Sequence, residues 1–128
     1  MNKFKPLCFL PLLLLARCAP PSLVGTWQIH RYEITTPDGG MAVEQIGKIA
    51  FQKNGAGERR LTIGIPILEI EDGTYPFSWK QPDKQHIVIS GADAVFSKTW
   101  EIQSASRNLY KLKAPYNPDV TQLMELRR

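Results

Sequence analysis

The chain has 128 residues with 16 Lys and Arg against 12 Asp and Glu, a formal net charge of +4. That length suits one domain, because a single core of this size already buries most of the surface and a second would be too small to stand alone. The basic excess sits at the N-terminus: without Lys3, Lys5 and Arg17, 13 basic residues face 12 acidic ones. Such a balance excludes the clustered Lys and Arg surplus by which nucleic-acid binders release counterions.

In chain order, Lys3 and Lys5 precede Leu7-Cys8-Phe9-Leu10-Pro11-Leu12-Leu13-Leu14-Leu15-Ala16, an apolar run of ten. Ten residues is signal-peptide length, and too short for a membrane span, which needs about 20. Residues 1–18 are therefore expected to direct export and to be removed. Leu15-Ala16-Arg17-Cys18 resembles the bacterial lipobox, with Arg17 where that motif has Gly, Ala or Ser. The resemblance implies diacylation of Cys18 and attachment to the cell envelope, at the outer membrane of a Gram-negative bacterium. The rival, ordinary signal peptidase cutting after Ala19, would find Arg17 three residues back and Pro20 next, against its rule of small residues. Ala19-Pro20-Pro21-Ser22 is left as the only tether, reaching at most about 14 Å. Both cysteines, Cys8 and Cys18, lie in this region, so residues 23–128 have no disulfide, thiol nucleophile or thiolate metal ligand.

From Leu23 onward the apolar residues recur with a period of two. Trp27 and Ile29 share one face, whereas Tyr32 and Ile34 share the opposite parity, so a bulge is expected at His30 to Arg31. Thr36-Pro37-Asp38-Gly39-Gly40 is a turn, and residues 41–45 carry no clear pattern. Ile49 and Phe51 alternate into Asn54-Gly55-Ala56-Gly57, and Leu61, Ile63 and Ile65 alternate out of it, as in a hairpin. Pro66 interrupts, and Leu68 and Ile70 make a short edge-like piece before Asp72-Gly73. Tyr75, Phe77 and Trp79 then place three aromatics on one face.

Ile87 and Ile89 alternate between the turns 81–84 and 90–93. Phe96, Lys98, Trp100 and Ile102 share a face, Tyr110 and Leu112 follow the loop 104–108, and 115–119 is the last turn. Val120, Met124 and Leu126 share a parity, which reads as a strand, although Asp119 could cap a short helix. Eight or nine short strands with turns roughly every ten residues define an all-β, single antiparallel meander barrel of about eight strands. Barrel closure removes exposed edges.

Gly25-Thr26-Trp27 near the start of an exported all-β chain resembles the Gly-x-Trp signature of lipocalins. The whole stretch 23–128 is similar to short bacterial lipocalin-like lipoproteins, which often open Leu-Val-Gly-Thr-Trp, as residues 23–27 do, and carry Asp-Gly-Thr-Tyr motifs, as residues 72–75 do. The resemblance implies a calyx for a small apolar ligand, and an Arg from the end of the barrel packed over Trp27, matched here to Arg127. No Thr-Asp-Tyr motif and no helix after the barrel is found. Phe51, Tyr75, Phe77, Trp79, Phe96 and Trp100 are the residues that would line a pocket, unless they simply fill the interior.

Enzyme chemistry finds little footing in these residues. His30 and His86 are far apart in sequence, and no nucleophile elbow, zinc-binding helix or phosphate loop occurs. Glu69 and Glu71 read as exposed charge, and no cofactor or metal is expected. Arg59-Arg60, Arg127-Arg128, Lys111 and Lys113 read as a solvated face. Two functions stand: a ligand-binding barrel, or a protein-interaction module, such as an inhibitor or envelope assembly factor, presenting loops 36–45, 53–58 and 115–119.

Overall fold

A computed structural model describes residues 21–63, 71–91 and 95–128 of the chain. The leader, Cys18, Glu69 and the Leu68 to Ile70 piece lie outside these. The strands are β1 (Gly25–Thr36), β2 (Gly39–Phe51), β3 (Ala56–Leu61), β4 (Gly73–Asp83), β5 (His86–Gly91), β6 (Thr99–Ala105), β7 (Leu109–Asn117) and β8 (Val120–Arg127). They pair in sequence order and β1 closes on β8, giving an eight-stranded antiparallel meander barrel. No helix occurs among the described residues. Residues 120–127 are strand rather than helix, because alternate residues Gln122, Met124 and Leu126 are buried, a period that a helix cannot present to one face.

The face switch in β1 is a bulge. Ile29 pairs with Gly47 and Arg31 with Glu44, so His30 faces two residues, Gln45 and Ile46. On the other side Ile29 pairs with Leu126 and Arg31 with Glu125, and His30 has no counterpart. Gln45 takes the left-handed conformation, φ 53°, that lets β2 absorb its extra residue. The patternless stretch 41–45 is therefore the first part of β2, disguised by the bulge.

The meander gives the barrel two different ends. The β1–β2, β3–β4, β5–β6 and β7–β8 connections meet at one, the mouth. The β2–β3, β4–β5 and β6–β7 turns meet at the other, the base, with Leu23 to Gly25 and Arg127 to Arg128. At the base Leu23 is buried and accepts a 2.8 Å hydrogen bond from Trp27 Nε1 at its carbonyl. The Tyr110 hydroxyl donates to the Pro21 carbonyl at 3.1 Å, and the Trp27 and Tyr110 rings meet edge to face at 5.1 Å. Among the described residues every buried apolar side chain lies between Leu23 and Leu126, and every strand between Gly25 and Arg127. The eight strands within residues 21–128 thus close into a barrel.

Candidate functional site

The six aromatics expected to line one pocket separate into two groups. Toward the base, Phe51 stacks edge to face on Phe77 at 5.5 Å and on Trp79 at 5.2 Å, and Trp79 Nε1 donates to the Gln52 carbonyl at 2.9 Å. This group is packing. A Cβ at Gly57 would come within 2.2 Å of the Phe77 ring, so a glycine is needed for Phe77 to cover β3. Toward the mouth, Phe96 is buried, lies 5.8 Å from Tyr32 and 6.3 Å from Trp100, and faces Tyr75 across Arg59. Phe96 belongs to the β5–β6 connection, not to a strand shared with Trp100, because β6 begins only at Thr99.

Arg59 corrects the expectation of a solvated basic pair. It is 2% exposed, and its guanidinium sits 4.6 Å from the Tyr75 ring centroid and 4.4 Å from that of Phe96. Its parity explains this. Arg59 alternates with Gly57 and Leu61, both buried, and pairs with Ile49 and Tyr75, whereas Arg60 points outward and pairs with the Glu58 carboxylate at 3.2 Å. A guanidinium removed from water is tolerated only where other contacts replace hydration; two aromatic faces supply part of that replacement.

Arg59, Ile49, Tyr75, Phe77, Ile89 and Phe96 line a cavity of about 10 Å³ that opens past Gly91 and Ser97 at the mouth. That space holds about one water molecule. Around this cavity the interior is filled by the side chains of the described residues. A second polar group lies nearby: Lys98 Nζ donates to Gln122 Oε1 at 2.7 Å and to the Pro115 carbonyl at 3.2 Å, and Gln122 Nε2 donates to the Tyr32 hydroxyl. Gln122 is fully buried. Interior polar groups are thus concentrated in the mouth half, above an apolar base. Larger hollows, of about 200 and 230 Å³, lie on the outer wall, lined by Arg31, Glu33, Lys111 and Glu125 and by Lys48, Glu58 and Arg60.

The arginine over Trp27 is Arg128, not Arg127. The Arg128 guanidinium lies 4.0 Å from the Trp27 ring, and Arg127 turns outward to Glu125, with Nη2 2.7 Å from the carboxylate. In β8 the inward residues are Gln122, Met124 and Leu126, and Arg128 is the next of that parity. Arg128 also accounts for Gly25, since a Cβ there would come within 2.6 Å of Arg128 Nη1, and Gly25 has φ 131°, which side chains resist.

Among the described residues no group of three His, Cys, Asp or Glu is placed to hold a metal ion. His30 is half-buried on the mid-strand bulge of β1, whereas His86 Nδ1 lies 2.9 Å from Asp83 at a base turn.

A closed eight-stranded antiparallel meander of this kind is a lipocalin-like barrel. Two solved structures agree. A lipocalin-like protein from Bacteroides uniformis is similar to 83% of this chain over 97% of its own, with a TM-score of 0.53 and 17% identity. An uncharacterized protein from Bacteroides eggerthii is similar to 84% of this chain over 100% of its own, with a TM-score of 0.52 and 15% identity. At such identities the likeness is one of fold alone. No family model matches the chain, and no curated protein matches it.

Proposed function

We propose that the chain is an exported, lipid-anchored lipocalin-like barrel that binds a small apolar molecule with an anionic head, without performing chemistry on it. The observation that carries the ligand reading is Arg59, buried between Tyr75 and Phe96 beside the interior cavity. A guanidinium set between two aromatic rings favours a carboxylate over a neutral head, since charge-assisted hydrogen bonds are about twice as strong as neutral ones. A cavity of about 10 Å³ admits no head group as it stands. Phe96, carried on a connection outside the strand ladder, is the side chain whose rotation would make room. Export and anchoring rest on the Leu7 to Ala16 run and the Leu15 to Cys18 pattern.

The test is titration of residues 21–128 with a fluorescent fatty acid and with the matching neutral alcohol. Saturable binding that prefers the acid is expected; no saturable binding of either, by the natural sequence or by Phe96→Ala, would overturn the reading.

A second reading, the protein-interaction module, is favoured by a different observation. Met41, Ile63 and Tyr116 are large, exposed apolar residues, and all three lie at the mouth. Recovery of one stoichiometric protein partner that is lost on Met41→Asp and Tyr116→Asp would support it.

A further inference from the structure

Charge is segregated along the barrel axis. Each of the three base turns carries an exposed cation: Lys53 between β2 and β3, Lys84 between β4 and β5, and Arg107 between β6 and β7. None of the three forms an ion pair with a described residue. The acid at these tips, Asp83, accepts hydrogen bonds from the Gln85 backbone N–H and from His86 Nδ1. At the mouth the sign is reversed, with Asp38, Glu71, Asp72 and Asp119 exposed on the connections. Residues 23–128 are close to neutral as a whole, so this is an arrangement of charge and not an excess of it.

The chain also enters the barrel at the basic end. Pro21 and Ser22 are held there by the Tyr110 hydroxyl and by Arg128, whose Nη2 donates to the Ser22 carbonyl at 3.0 Å. Whatever precedes Pro21 therefore joins the molecule at its base.

We infer that the base is a docking face for an anionic phospholipid surface, with Lys53, Lys84 and Arg107 against the head groups and the mouth turned away. Three cations on one face are attracted to such a surface over about a Debye length, roughly 8 Å at physiological salt. The mouth acids are repelled by it, so the same charge pattern sets orientation as well as binding. The face complements the proposed anchor at Cys18 but does not require it.

The experiment uses residues 21–128, which have neither leader nor Cys18, so its outcome is separate from that of acylation. Sedimentation with vesicles of phosphatidylcholine, with and without phosphatidylglycerol, should show binding only to the anionic vesicles and loss of it at high salt. Each cation is worth about fivefold, so Lys53→Gln, Lys84→Gln and Arg107→Gln together should lower partitioning by roughly a hundredfold. The wall variant Lys48→Gln, Lys111→Gln and Lys113→Gln removes equal charge and should bind within a few-fold of the natural sequence. An environment-sensitive label on Gln85→Cys should respond to vesicles, and one on Pro118→Cys should not. Equal losses in the two triple variants, equal response of the two labels, or tighter binding to duplex DNA than to the anionic vesicles would overturn the inference.

Discussion

The guanidinium of Arg128 lies 4.0 Å from the ring of Trp27 and donates to the Val24 carbonyl at 2.9 Å, so the residue that follows β8 seals the start of β1. Nε of the same side chain reaches the Arg107 carbonyl at 2.9 Å, joining the β6–β7 turn to this seal. Arg128→Ala should therefore cost about 2 kcal/mol, from the cation–π contact and the charged hydrogen bonds together. Arg127→Ala, which removes an ion pair on the outer wall, should cost under about 1 kcal/mol. Urea unfolding of the two variants compares them directly.

Gly25→Ala should destabilise the fold by about 1–3 kcal/mol, since its φ of 131° is strained for any side chain. Part of that cost is contact with Arg128 Nη1, so the loss in an Arg128→Ala background should be smaller. A double-mutant cycle measures the difference, and strict additivity would mean that backbone strain alone protects the glycine.

Little of this pairing was legible from residue types alone. The turns at 36–40 and 54–57 were readable because Pro, Asn, Asp and Gly have few other backbone uses, and the bulge was readable because Ile29 and Tyr32 break parity. Arg59 and Arg128 were misplaced because a charged residue was assigned outward by type. Their parity with Leu61 and with Leu126 was the better signal, since in a strand the face is decided by position before chemistry. The division of the six aromatics was not readable, because it depends on which strand pairs bring Phe51 to Phe77 and Arg59 to Tyr75.

Acid should weaken the β4–β5 turn. The Gln85 backbone N–H, and then His86, hold the Asp83 carboxyl below its ordinary 3.8. A carboxylate with a depressed folded pKa stabilises the fold above its unfolded value, and that contribution is lost as pH falls from about 4 through the folded value. Asp83→Asn should flatten this part of the stability curve below about pH 4, as read by urea midpoints at each pH.

Alkali should act at the base. Burial pushes the Tyr110 hydroxyl above its ordinary 10, although the charge of Arg128 pulls the other way. With the folded pKa raised, the stabilisation is complete below pH 10 and is lost as pH rises through the folded value. Tyr110→Phe should lessen that alkaline loss while sacrificing the hydrogen bond to Pro21, about 1 kcal/mol at neutral pH.

In the ligand chamber, Phe96→Ala and Arg59→Met should act in opposite directions. Removing the ring opens the interior and should tighten fatty-acid binding at least several-fold, at a stability cost of about 3–5 kcal/mol. Removing the charge should abolish the preference for acid over alcohol, and Arg59→Lys should keep it in part. Parallel titrations with the two probes read both effects.

The measurement closest to the central claim is the nuclear magnetic resonance signal of the Arg59 Nε–H group in ¹⁵N-labelled protein during addition of a fatty acid. A head group seated against the guanidinium between Tyr75 and Phe96 predicts a saturable shift of that signal, with no such shift on adding the neutral alcohol. A signal unmoved by the acid, with changes confined to the outer wall, would contradict the account.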